Sequence, residues 1–306
     1  MRPSYFSDLE DIIEFEYLEP KTTKEACSLR SQYLERVKVI AGGTKLLTSM
    51  KQRETNPQYL INLKSIPNLE YIHYDDEEGL KIGALTTLFE ISQSSLVNDR
   101  AKILVEAVKQ RDPGINRTRW AYYMATIGGH LSYPSSSADI SPTLTILGAK
   151  AVVEGLKGWK TIPLEEFFNK TGEPAFQNDE VLTEIRIPKQ SAEMGLVYMK
   201  SSSSTPDTHV LNVAVLLQLD AKHVNIEELK IVVGGIAPHP LEAHGAEGIM
   251  KGKPIDNDLI EETAHAAAKE VGEGSDPETQ ERAKELIEEA IRQGVDRAIG
   301  EFALGY

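Results

Sequence analysis

Apolar and polar positions alternate along this chain in two different rhythms, and the rhythm changes from strand-like to helical toward the C-terminus. The clearest helical stretch is the last one. Ala283, Leu286, Ile287, Ala290, Ile291, Val295, Ala298 and Ile299 recur at helical spacing and make one apolar face. Ser275-Asp276-Pro277-Glu278 precedes it with a cap residue, a proline suited to a helix start and early negative charge. A second helix is expected just before it. Near the N-terminus, Thr22-x-x-Glu25 has the spacing of a capping box and predicts a helix over Thr22 to Glu35.

Between these ends the pattern is that of short strands. Val37-Lys38-Val39-Ile40, Tyr59 to Leu63, Leu80 to Gly83 and Lys150 to Glu154 are strand candidates, with one helix expected near Ile103 to Gln110. Val181 to Ile187, Leu196 to Met199, Val210 to Leu219 and Leu229 to Val233 follow. Grouped by order, these elements predict an α+β chain in three blocks, running from about Phe15 to Asn56, from Pro57 to about Phe176, and from Val181 onward. The corresponding division is a domain over 1–178, with subdomains of about 1–56 and 57–178, and a C-terminal domain over 179–306. Strands followed by helices in the last block predict a sheet with helices on one face. No internal repeat or low-complexity tract interrupts the pattern.

Two glycine-rich stretches break the rhythm about eighty residues apart. Val39-Ile40-Ala41-Gly42-Gly43-Thr44-Lys45-Leu46-Leu47 is the first, and Ala125-Thr126-Ile127-Gly128-Gly129-His130-Leu131 the second. Each sets two glycines directly after an apolar segment, where backbone N–H groups can converge on an anion with no Cβ in the way. Two such loops meeting in space would hold a pyrophosphate from both sides, which points to a dinucleotide. Neither is a G-x-G-x-x-G opening a helix after a strand, nor a G-x-x-x-x-G-K-[ST] loop, so the Rossmann and P-loop readings both fail.

The neighbours of these loops carry a family resemblance. Ala41 to Thr44, Pro57 to Leu63, Leu80 to Leu88, Ala125 to Gly129, Ala138-Asp139 and Leu147-Gly148-Ala149 form part of an ordered set. Ile162 to Phe168, Glu180 to Pro188 and Gly234-Gly235-Ile236-Ala237-Pro238 complete it. The set resembles the FAD-binding medium subunit of the molybdenum hydroxylases, such as carbon monoxide dehydrogenase, bacterial xanthine dehydrogenase and 4-hydroxybenzoyl-CoA reductase. It runs from about Phe15 to Lys253. The resemblance implies a two-subdomain FAD-binding fold of the vanillyl-alcohol-oxidase (PCMH-like) type, followed by a C-terminal domain of the CO dehydrogenase flavoprotein type. It further implies FAD as cofactor, a small [2Fe-2S] partner, a large molybdopterin partner and an external electron carrier such as NAD.

On that resemblance the residues take roles. Gly42, Gly43 and Thr44 would offer N–H groups to the phosphates, joined from the other side by Gly128 and Gly129, with Ala41 and Ala125 in the loops and Thr126 as a hydroxyl donor. Asp139, after Ala138, would accept from ribityl or ribose hydroxyls, or pin its own loop. Ile40, Leu46, Leu85 and Leu182 would line a ring pocket or serve as plain core. His130 stands where the family usually has Asn, and Lys45 where an acidic residue is frequent. Lys200 matches a basic position, but the arginine usually found shortly after it is replaced within Ser201 to Ser204. Trp120, Tyr122 and Tyr123 would stack on a ring or simply pack. No acid–base or nucleophilic catalytic residue is expected, because the redox chemistry belongs to the flavin. Two alternatives stay open: a subunit that has lost flavin and serves as a scaffold, and a self-sufficient flavin oxidoreductase.

Composition narrows the partners. Over 306 residues the formal charge is −14, and a nucleic-acid partner is disfavoured because phosphate neutralisation needs clustered Lys and Arg. No apolar run approaches the roughly twenty residues that span a bilayer, and Met1 to Glu14 has neither the basic start nor the apolar stretch of a secretory signal. The single cysteine, Cys27, cannot form an internal disulfide and is far short of the about four ligands an iron–sulfur cluster needs. It reads as a small apolar residue in the first helix, in a cytoplasmic setting. His239 and His244 lack the further ligands of a zinc site.

Overall fold

The computed structural model of the protein describes residues 14–110, 123–133, 140–191, 194–201 and 210–303. Its first layer is a three-stranded parallel sheet. β1 (Glu16–Leu18) is followed by α1 (Thr23–Tyr33), β2 (Val37–Ile40), α2 (Leu46–Lys51) and β3 (Tyr59–Asn62), with strand order β1-β3-β2. The predicted start of α1 holds: the Thr22 hydroxyl accepts from the Glu25 N–H at 3.1 Å. The Glu25 carboxylate accepts from the Lys21 N–H at 2.7 Å. α1 buries Ala26 and Cys27 against the sheet, and it stops at Leu34, whose φ of 50° no helix can continue.

The second layer is an antiparallel sheet of five strands. β4 (Ile72–Asp75) and β5 (Gly79–Gly83) form one edge. Helices α3 (Leu88–Gln93), α4 (Ser95–Arg100), α5 (Lys102–Lys109), α6 (Ile127–Leu131) and α7 (Ser141–Ile146) follow, then β6 (Lys150–Gly155), β7 (Gly158–Pro163) and β8 (Val181–Ile187). The strand order is β4-β5-β8-β6-β7. α3 starts on a full capping box, in which the Thr87 hydroxyl and the Glu90 carboxylate each accept from the other's backbone N–H. The Thr87-x-x-Glu90 spacing is visible in the sequence but is not among the elements predicted from it.

The third layer is an antiparallel sheet with order β12-β11-β10-β9. Its strands are β9 (Met194–Lys200), β10 (Asn212–Leu219), β11 (Ile226–Gly234) and β12 (Leu241–Glu242). Three helices follow: α8 (His244–Met250), α9 (Asn257–Val271) and α10 (Pro277–Ala303). The long final helix bears out the periodicity. Ala283, Ile287, Ala290, Ile291 and Ala298 are buried, whereas Ile299, expected on the same face, is 49% exposed. Strand and helix cross closely: a Cβ on Gly195 of β9 would lie 2.0 Å from the Gly294 carbonyl oxygen.

Pairing places two strands differently from their order in sequence. β3, expected to open the second block, is the middle strand of the first sheet, between β1 and β2. β8, expected to open the third block, lies between β5 and β6 in the second sheet. Apolar alternation reveals a strand but not its partners. The last sheet also departs from one-sided cover. Val213, Val215 and Leu217 join the core shared with α9 and α10, while Ala214 and Leu216 join the core of the second layer. Both faces of β10 are therefore buried.

Candidate cofactor site

β2 delivers the first glycine loop and α2 begins just beyond it. Gly43 has φ of +73°, a conformation that L side chains rarely adopt. Gly42 meets the second loop directly: a Cβ there would sit 1.8 Å from the Met124 carbonyl oxygen and 3.2 Å from the Ala125 Cα. The two stretches thus come together in space, the condition on which a shared anion site depends. The segment after β5 backs the second one. The Gly128 N–H donates to the Ala84 oxygen at 2.9 Å and the Ile127 N–H to the Thr86 oxygen at 3.0 Å.

The donors of the two loops are not equivalent. Among the described residues, nothing accepts from the N–H groups of Gly42, Gly43 or Thr44. The second Gly-Gly lies inside the first turn of α6, capped by the Thr126 oxygen, which accepts from the Gly129 N–H at 3.1 Å. With Gly128 bound to Ala84, both second-loop amides are committed to the fold. The symmetrical set of free backbone donors expected from the sequence is therefore found on one side only. The first loop presents donors, and the second contributes close approach and the Thr126 hydroxyl.

Around this meeting point lies a cavity of about 620 Å³, within the usual range for a small-molecule or cofactor site. Ile40, Ala41, Gly42, Gly43, Thr44, Lys45 and Leu46 form one wall. Ala125, Thr126, Gly128, Gly129 and His130 form another, and Leu85 and Leu182 add apolar surface while being almost wholly buried. Ala138 and Asp139, and likewise Trp120 and Tyr122, lie outside the described residues. Lys200, at the end of β9, is not part of the cavity wall. Tyr123 is not part of it either; its ring lies 4.5 Å from that of Phe89.

Several wall residues were not among the contacts expected from the sequence. Arg30 and Leu34 come from α1 and its end, Ala84 from the turn after β5, Ser132 and Tyr133 from the end of α6, and Phe176 and Val181 from the approach to β8. Tyr133 is tied to α2 by a 2.6 Å hydrogen bond between its hydroxyl and that of Ser49. Arg30 donates through Nη1 to the Glu180 oxygen at 2.6 Å, and burial pulls its pKa below the usual guanidinium value. Cys27 stays away from the cavity. Its thiol donates to the Glu154 oxygen at 3.2 Å, and burial, reinforced by the Glu154 carboxylate, pushes its pKa up to about 11.

Comparison with known proteins bears on what the cavity holds. Residues 13–190 match the family described as the FAD binding domain in molybdopterin dehydrogenase, and residues 197–292 match the CO dehydrogenase flavoprotein C-terminal domain. The chain belongs to this flavoprotein family. The carbon monoxide dehydrogenase medium chain of Hydrogenophaga pseudoflava is 33% identical over 257 residues, covering 83% of this chain and 85% of the relative. The nicotinate dehydrogenase FAD-subunit of Eubacterium barkeri is 28% identical, covering 82% and 84%. A solved structure of carbon monoxide dehydrogenase from Hydrogenophaga pseudoflava, lacking the Mo-pyranopterin moiety of its molybdenum cofactor, superposes with a TM-score of 0.84. Identity there is 28%, and the match covers 93% of this chain and 98% of that one.

As a medium-subunit flavoprotein of this family, the chain is an FAD-binding oxidoreductase subunit. Its cavity fits that group by the chemistry of its walls. Three consecutive backbone donors with no acceptor among the described residues suit a diphosphate, and Ile40, Leu46 and Leu85 supply apolar surface for flat rings. Among the described residues no cluster of three or more His, Cys, Asp or Glu is placed to hold a metal, and no helix is long and apolar enough to cross a membrane.

Proposed function

We propose that this chain is the electron-transfer subunit of a molybdenum hydroxylase-type complex. It holds FAD between the [2Fe-2S] centres of a small partner and an external carrier such as NAD, while a large molybdopterin subunit performs the substrate chemistry. The observation that supports this most is the pairing of the two glycine segments around the cavity, with no acceptor for the Gly42, Gly43 and Thr44 N–H groups among the described residues. FAD, when bound, supplies the exchange between one-electron and two-electron carriers. The chain's own residues bind and orient. Gly42–Thr44 would hold the diphosphate, Thr126 would add a hydroxyl, and Ile40, Leu46, Leu85 and Leu182 would keep water from the rings. Asp139 and Lys200 are proposed as further contacts.

The test is flavin content followed by electron transfer. Flavin absorbance that stays with the chain, or with its co-expressed complex, through gel filtration supports the reading, and Gly43→Val releases it. NAD reduction by the complex, lost in that variant while cluster reduction by substrate persists, locates the step on this subunit. A complex that assembles fully and never carries flavin makes the chain a scaffold. Turnover of a small substrate by the isolated chain makes it a self-sufficient oxidoreductase.

A further inference from the structure

The cavity has a cationic and apolar end that its glycine segments do not account for. Arg30 and Leu34 are four residues apart, so they share one side of α1 and its terminus, and both line the cavity. A guanidinium has five N–H donors. Among the described residues only the Glu180 carbonyl oxygen accepts from this one. Of the three carboxylates whose charge bears on it, Asp179, Glu180 and Glu35, the last two are engaged elsewhere. Glu180 pairs with the Lys160 ammonium at 2.8 Å and accepts from the Gln177 N–H at 2.6 Å, and Glu35 accepts from the Asn178 amide at 2.9 Å. The Phe176 ring centroid, 5.9 Å from the guanidinium carbon, backs the group. A partly buried cation with unused donors beside a cavity is costly unless a ligand supplies the acceptors.

Leu34 adds a second, independent sign. Its φ of 50° and ψ of −123° are unfavourable for any residue with a Cβ, and its side chain is 58% exposed. Folding alone gives no reason to keep a large apolar residue there, since glycine would remove the strain and the exposed surface together. A strained apolar side chain at the mouth of a binding cavity is explained if a ring lies against it.

We propose that Arg30 and Leu34 form the base-binding end of the cavity, where Arg30 donates to ring nitrogens of the adenine of FAD and Leu34 covers a face of the ring. Purine chemistry matches this end. The ring edge carries nitrogen acceptors for a donor-only guanidinium, and its faces are apolar. The α6 side of the cavity instead offers Ser132 and Tyr133, hydroxyls that both donate and accept, as the flavin edge with its mixed groups requires. This assignment rests on the reading of the cavity as the FAD site, and it makes the end near α1 the part that selects FAD over FMN.

The experiment titrates the flavin-stripped full-length protein with FAD and with FMN, by flavin fluorescence, in wild type, Arg30→Gln and Leu34→Gly. Arg30→Gln lowers FAD affinity about tenfold or more, the effect of losing charge-assisted hydrogen bonds, and leaves FMN affinity within about twofold. Leu34→Gly also weakens FAD more than FMN, while its melting temperature rises because the strain is gone. Because Leu34→Gly is stabilising, a folding defect cannot imitate its result. Equal loss of FAD and FMN in both variants, or no loss of either, overturns the assignment while the FAD reading stands. A wild-type protein that takes up neither flavin overturns the FAD reading, and the assignment with it.

Discussion

Gly42 and Gly43 are adjacent, yet they are glycines for different reasons, and the difference can be measured. At Gly42 an added Cβ meets the Met124 carbonyl oxygen at 1.8 Å, a backbone atom that cannot rotate away. At Gly43 the nearest atom is the end of the Leu47 side chain at 3.1 Å, and the obstacle is φ of +73°. Gly43→Ala should therefore cost about 1–2 kcal/mol of left-handed strain. Gly42→Ala should cost more, by pushing the two loops apart, and should lose flavin as well. Urea unfolding midpoints of the two variants check the order. Cys27 gives a prediction in pH. Its thiol is neutral in the fold with a pKa raised from 9.0 to about 11, so the unfolded chain ionises first. Its contribution to stability is whole below about pH 9 and is lost as pH climbs from there toward 11. Cys27→Ala should flatten that decline, read from midpoints across the range. An alkylating reagent should meanwhile leave native Cys27 untouched, since its relative exposure is 0%. Nothing in the sequence around Arg30 or Leu34 marks them as wall residues, because a helix face declares its neighbour only once packed.

Elements were legible where periodicity was long, and a cap helped at α1 and α10 though the capping box of α3 went unread. α10 is the clearest case, and its two isoleucines grade the forces on it. Ile287, fully buried against the last sheet, should cost about 2–5 kcal/mol when cut to Ala. Ile299, on the same predicted face but 49% exposed, should change stability by no more than about 0.5 kcal/mol. Thermal melts of both variants test whether the sheet really ends before the last turns of the helix. The short helices were harder. α6 spans Ile127–Leu131 and holds the second Gly-Gly, residues that ordinarily argue against a helix. It forms because Thr126 caps it and its first amides are held by Thr86 and Ala84, contacts from another segment. For that reason the sequence pattern made it a loop with free donors. The sheet pairings of β3 and β8 were hidden likewise, since neither strand carries a record of its neighbours.

At the scale of the molecule, the layers share cores and are not independent. Ala214, Leu216 and Val232 of the last sheet are packed with Leu104, Leu144 and Val108 of the second layer. Gly234 lies against Pro142, and Gly172 against Pro238. A fragment of residues 1–190 would expose this apolar seam, and it should aggregate or elute as oligomers on gel filtration, whereas the full chain unfolds in a single transition. What the sequence by itself determined is what local chemistry can carry: the glycine segments, the caps, the apolar face of α10 and, through the ordered blocks, the family. Spacing along a chain fixes torsional freedom and amphipathic faces, and these survive without any partner. The tertiary structure alone decided which amides keep no acceptor among the described residues, that β8 joins the two halves of the middle sheet, and that Arg30 and Leu34 reach the cavity. Each of these depends on distances between segments far apart in sequence, and such distances are set only when the cores close.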